Sequence, residues 1–266
     1  MSTPGSSSSN QAASPQAASV QAVSTPDWPA VAARLTKVLH LAAAPVALTF
    51  RSADRSPDRP APAAESGLPM APANEHGRTG AVPAGCVFWV QGAHAPVTTY
   101  AADHANCSVG SLTHGFRTLD EVAANDDVQA LLEAGWVGHD DVVTLPVVTE
   151  RTESVHYAPL GSMTETPDVV LIRTNARGLM TVKDAVPDLP VEGKPQCHIV
   201  AMAKQGRVAA SVGCALSRAR TGIRADEATC VFPGSLLPEL IDRLELHARL
   251  DARMAQYAGA DAQRFA

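Results

Sequence analysis

Apolar residues recur along the chain in two rhythms, and each marks a different kind of element. Val31, Leu35, Val38 and Leu39 follow Asp27 at helical spacing. Asp27 suits an N-cap and Pro29 is tolerated in a first turn, so a helix is predicted to start there. Residues 45–50 (PVALTF) are a short Pro-led apolar run, the pattern of a buried strand. Residues 86–92 (CVFWVQG) are apolar and short, helix or strand, and 97–101 read as a strand. A helix is predicted from Cys107 to Gly115, an acidic-faced helix over 119–134 ending in Gly135, and a strand over 142–148. Tyr157-Ala158-Pro159-Leu160 reads as a turn. Residues 169–172 read as a strand and 179–186 as a helix, while 196–203 and 207–212 repeat the earlier pattern. The last helix runs from about residue 236 to about 256, with Leu237, Leu240, Ile241, Leu244 and Leu250 as its apolar stripe.

Two stretches interrupt these rhythms. Residues 1–26 are mostly Ser, Ala, Gln and Pro and bury too little apolar surface to offset ordering entropy, so they are expected to be a disordered tail. Residues 52–84, rich in Pro, Ala, Gly and charge, read as a surface insertion. Residues 27–256 then form one domain, and 257–266 a C-terminal tail.

Within that domain two stretches look alike. Each has a Pro-led apolar strand, a cysteine opening a short apolar segment, and a Val-rich strand. A second cysteine then precedes a helix ending in Gly (Gly115-Phe116 and Gly222-Ile223), and a turn of the form Pro-x(0–1)-Gly-Ser comes later (Pro159-Leu160-Gly161-Ser162 and Pro233-Gly234-Ser235). If these are a duplication, the halves pack about a pseudo-twofold axis and bring equivalent residues face to face. The expected fold is α+β (or α/β): a single domain of two similar halves, with a mixed β-sheet and packed helices.

Composition narrows the function. Apolar residues make up 45% of the 266, charged residues 18%, and the net charge is −6, which disfavours a phosphate-neutralising nucleic-acid binder. Aromatics at 4% disfavour a base-stacking platform. No apolar run reaches the ~18 residues of a membrane span. The start has neither a basic n-region nor an apolar h-region, so a cytoplasmic location with reduced thiols is expected.

Five cysteines are present, and four of them fall on the repeat: Cys86 and Cys107 in the first unit, Cys197 and Cys214 in the second. A helix start stabilises a thiolate, the form that ligates metal or attacks an electrophile. Two symmetry-related pairs could therefore converge into a four-sulfur site suited to a single metal ion or an iron–sulfur cluster. No C-x-x-C pair occurs, so only the fold can assemble such a site; otherwise these thiols are small core residues. Cys230 has no counterpart in the first unit and reads as core. Arg218, four residues after Cys214, is a candidate anion clamp. His198 and His104 adjoin cysteines and are candidate bases or ligands, while His94, His104, His114 and His156 otherwise read as loop or surface residues. Motifs for nucleotide hydrolysis, dinucleotide binding, zincins and α/β-hydrolases are absent.

The order PVALTF, GCVFW, NCSVGSLTHGF, PDVVLI, SVGCALSRARTG, DEATCVFPGSLLPELIDRL resembles the ArCR domain-of-unknown-function family (number 169) over roughly residues 30–246. The resemblance implies a single cytoplasmic cysteine-containing domain and candidate metal or cluster binding. It puts Cys86, Cys107 and Cys214 with Arg218 at motif positions, and matches Cys197 less closely. The chain departs from the pattern at Val87, where a polar residue is expected, at Ser108-Val109, where Pro-Gly is expected, and in the 52–84 insertion. Three readings stay open. One is a redox protein in which Cys86, Cys107, Cys197 and Cys214 hold a metal or iron–sulfur cluster and Arg218 positions a small anionic molecule. The second is a cofactor-free enzyme with Cys107 or Cys214 as nucleophile. The third is a non-catalytic small-molecule-binding accessory module. The expected partner is a small-molecule ligand, with no nucleic acid and no membrane; a homo-oligomer is allowed.

Overall fold

The structure, a computed structural model, describes residues 25–52 and 84–264, and the expectations for 1–24 and 53–83 lie outside the described residues. Helix α1 (Trp28–Leu39) starts where Asp27 accepts the Ala30 N–H at 3.1 Å, with Pro29 in the first turn. It buries Trp28, Val31, Leu35 and Leu39, and full burial of each aliphatic member contributes about 1.5–3 kcal/mol. Arg34, on its outer side, is fixed by Glu245 at 2.8 Å and Asp242 at 2.5 Å.

Seven strands form one mixed sheet: β1 (Val46–Ser52), β2 (Val97–Tyr100), β3 (Thr152–Pro159), β4 (Val169–Asn175), β5 (Val191–Glu192), β6 (Ala209–Ser211) and β7 (Glu227–Pro233). Their order is β2-β3-β1-β4-β7-β6-β5, and only the β5–β6 pair is parallel. Side chains alternate across the sheet. Val46, Leu48, Val169, Leu171 and Val231 face a core shared with α2 (Gly85–Gln91) and α8 (His198–Lys204). Ala47, Val170, Ile172, Cys230 and Phe232 face the opposite core, with α1, α7 (Ala176–Ala185) and α10 (Leu237–Ala262). Cys230 is therefore a fully buried core residue, as expected.

The duplication is written in the register. Val46 pairs with Leu171 and Leu48 with Val169, so the β1–β4 seam has a local twofold centred on Ala47 and Val170. Outward from it the pairings repeat: Val46 with Pro159 and Val169 with Pro233, then Val97 with Tyr157 and Ala209 with Val231. The strands β2-β3-β1 are thus mirrored in order by β6-β7-β4. Helices α3 (Ser108–Thr113) and α9 (Ala215–Thr221) are equivalent too, and each is followed by a left-handed glycine, Gly115 at φ 76° and Gly222 at φ 64°. The fold is a single α+β domain of two similar halves.

Several elements differ from the sequence expectation. Strand β3 runs through Tyr157–Pro159, where a turn was read, and β7 occupies residues 227–233, for which no strand was predicted. Each ends in proline, Pro159 and Pro233, and those prolines close the strands instead of preventing them. Residues 142–148 form no strand. The Gly138 N–H bonds Asp141 at 2.8 Å and opens a short helix, α6 (His139–Val143), with an irregular segment after it. The helix expected over 119–134 splits into α4 (Leu119–Ala123) and α5 (Asp126–Glu133), because Asn125 is extended and its amide reaches the Ser108 hydroxyl at 2.8 Å. Helix α10 continues through residues 257–262, so a C-terminal tail does not begin at 257. Among the described residues no helix is long and apolar enough to cross a membrane.

At the end of β7 a Cβ on Gly234 would lie 1.9 Å from the Pro167 carbonyl oxygen. Gly234→Ala must therefore push β7 away from the chain entering β4. The expected loss is about 1–3 kcal/mol, read as a drop of several degrees in thermal midpoint. An unchanged midpoint contradicts this close approach.

Candidate functional site

The pseudo-twofold decides where the sulfurs go. Cys86 opens α2 and Cys197 caps α8; Cys107 caps α3 and Cys214 caps α9. Helix α2 packs on α9 and α3 packs on α8, so each helix pair crosses from one unit to the other. All four thiols line one cavity of about 270 Å³, together with Leu131, Trp136, Leu216 and Arg220. As they stand, no three or more His, Cys, Asp or Glu side chains among the described residues are arranged to hold a metal ion.

Within the cavity the sulfurs are not alike. Cys107 and Cys197 lie side by side: a Cβ on Gly110 would lie 3.3 Å from the first sulfur and 3.7 Å from the second. The Cys197 thiol donates to Cys107, and the Gly110 backbone N–H and the Arg220 guanidinium add to it; together they outweigh burial and bring Cys107 down to about 6. As the donor of that bond, and fully buried, Cys197 is pushed well up. Burial, helped by the neighbouring Cys107 and Cys214, pushes Cys86 up to about 12. Cys214 is also raised by burial, although its sulfur accepts the Ser217 N–H at 3.3 Å. The set therefore comprises one thiolate and three thiols at neutral pH.

Arg218 is not at this cavity. Its guanidinium donates to the carbonyls of Arg224 at 2.6 Å, Val212 at 2.6 Å and Glu227 at 2.9 Å, tying α9 to the end of β6 and the start of β7. Counting one helical turn from Cys214 misplaces it. Cys214 is an N-cap with extended backbone (φ −123°, ψ 158°), so the helical count begins one residue later and the cavity face carries Leu216, Ser217 and Arg220. Arg220 was missed for that reason. Its equivalent in the first unit is Thr113, so a single cation breaks the symmetry of the four sulfurs.

Two further corrections concern histidines. His104 and His114, expected in loops or at the surface, are fully buried beside Phe88, Trp89 and Phe116. His198 sits 3.5 Å from Glu192 and is engaged there. The His114 Nδ1 lies 2.9 Å from the Gly110 carbonyl, which can only accept, so its Nε2 is a bare lone pair. Thr99 donates to the Val155 carbonyl at 3.3 Å and meets His104 Nε2 at 3.0 Å, which leaves His104 Nδ1 bare as well. Burial holds His104 well below the usual histidine range, helped by its neighbour His114, and brings His114 down to about 4. Both rings are neutral at pH 7.

A duplicated α+β domain with a thiol-lined cavity shared by its two units is the class these features define. The chain belongs to the uncharacterised ArCR family, domain of unknown function 169, whose model matches residues 34–243. No curated protein and no solved structure matches it.

Proposed function

We propose that the chain is a cysteine-rich cofactor-binding protein in which Cys86, Cys107, Cys197 and Cys214 hold an iron–sulfur cluster or a single soft metal ion next to a small anionic molecule. The observation that carries this reading is that four thiols from four separate segments line one cavity. The donor set fits the group. Thiolates select zinc, copper(I) and iron–sulfur centres, one sulfur is already deprotonated, and a cation in the cavity offsets the burial that keeps the other three protonated. Taking up a single ion requires the thiols to turn toward the middle of the cavity. When bound, such a centre supplies electron transfer or a Lewis acid. The chain's own share is to exclude water with Leu131, Trp136 and Leu216 and to present Arg220 to the anion.

A second reading is favoured by the low proton affinity of Cys107 alone: a cofactor-free enzyme in which Cys107 is the nucleophile and Arg220 the anion clamp. Cys214, raised by burial, is not the nucleophile in this reading. Anaerobic purification with metal analysis and a visible-range spectrum separates the two. The first predicts stoichiometric iron or zinc, lost in Cys86→Ser and Cys214→Ser. Folded protein that contains no metal and takes up neither iron nor zinc on reconstitution rejects it.

A further inference from the structure

The walls and rim of the cavity describe a ligand more narrowly than its sulfurs do. Leu131, Trp136, Leu216 and Pro195 make one side apolar, and Leu216 is 39% exposed at the mouth. Arg220 closes the sulfur end; its contacts are the Asn106 carbonyl at 3.1 Å and the Cys107 sulfur. A guanidinium has five N–H donors in a planar fork, so these two contacts leave capacity for a carboxylate in the same plane. A second cation stands at the rim, where Lys194 Nζ lies 4.7 Å from the centre of the Trp136 ring. The one lining carboxylate, Asp127, accepts the Ser108 N–H at 3.1 Å and the Ser108 hydroxyl at 2.7 Å and is held there. At about 270 Å³ the space lies just below the ~300–1,000 Å³ usual for ligand pockets, so the occupant is small.

We propose that this cavity binds a small amphipathic monoanion, an alkyl or aryl carboxylate, with its apolar body against Trp136, Leu131 and Leu216 and its carboxylate on Arg220 beside Cys107. The inference rests on the reading above in taking this cavity as the functional site. It goes beyond that reading in naming the ligand class and the residue that selects it. Arg220 has Thr113 as its counterpart across the pseudo-twofold, and Leu131 and Trp136 line the cavity from the first unit only, so the guanidinium and the apolar wall together give the ligand one orientation.

The test is calorimetric titration of the full chain, as isolated and with its metal content measured, against straight-chain carboxylates from butyrate to octanoate and the matching primary alcohols. Affinity is expected to rise about 4-fold per methylene until the cavity is filled. The alcohols are expected to bind at least ~10-fold more weakly than the carboxylates. Arg220→Met abolishes the preference for carboxylate while leaving the alcohols bound, Arg220→Lys retains part of it, and Trp136→Ala weakens both series. Equal binding of acids and alcohols, a preference that survives Arg220→Met, or no binding of either series overturns the proposal. Metal-free protein that selects carboxylates through Arg220 keeps this inference and removes the cofactor reading. Metal-loaded protein that ignores carboxylates does the reverse.

Discussion

Cys107→Ser is expected to remove the only rapidly reacting thiol in the chain. With Cys107 near pH 6 and Cys86 near 12, ~90% of the first and about one part in 10⁵ of the second are thiolate at pH 7. A thiolate of low pKa is intrinsically the weaker nucleophile, which gives back roughly a factor of 20 per three pKa units, yet the ratio still favours Cys107 by about a hundredfold or more. The measurement is iodoacetamide labelling of metal-free protein, followed at each cysteine by peptide mass spectrometry from pH 5 to 9. Cys107 should label first with a midpoint near 6, and Cys107→Ser should lose that phase entirely. Cys197→Ala should move the midpoint upward, because the donor that lowers it is gone. Slow, uniform labelling of all five cysteines contradicts the assignment.

Mild acid is expected to destabilise the fold through His104 and His114. Both are neutral in the folded chain, and their depressed pKa values mean that the unfolded chain takes up protons the folded one refuses. The stability they contribute is complete above about pH 6.5. It falls as the pH drops through that value, at about 1.4 kcal/mol per pH unit for each ring. For His114 the loss ends near pH 4, where the folded ring titrates; His104 continues lower. Between pH 6.5 and 5 the pair together costs ~3 kcal/mol, a large share of the 5–15 kcal/mol typical of a domain. Urea unfolding at closely spaced pH values reads this slope, and His114→Phe should halve it whatever it does to stability at pH 7. A flat profile from 6.5 to 5 shows that the rings are not held neutral.

Much of this architecture was legible in the chain because duplication leaves marks at several levels at once. The Pro-led strands at residues 45 and 167, the cysteine before each Gly-terminated helix, and the Pro-x(0–1)-Gly-Ser turns all recur, and the register of β1 with β3 and of β4 with β7 follows them residue by residue. That the four cysteines line one cavity follows from the same repetition. What the chain did not disclose depends on geometry without periodicity. An N-cap residue has no helical backbone, so the choice between Arg218 and Arg220 turns on one residue of phase. A histidine looks polar in a sequence, and only the Gly110 carbonyl on α3 and the Thr99 hydroxyl on β2 make the burial of His114 and His104 tolerable. Asn125 breaks a continuous acidic stretch because its amide has a partner seventeen residues upstream.

The centred seam between β1 and β4 also bears on how such a chain could arise. A single unit of this kind has an unpaired strand edge, and the self-complementary register there lets it join to an identical copy of itself. Joining the two by one continuous polypeptide removes the obligation for them to stay alike. In this chain Arg220 stands in one half and Thr113 in its place in the other, so a single sulfur of the four is set apart.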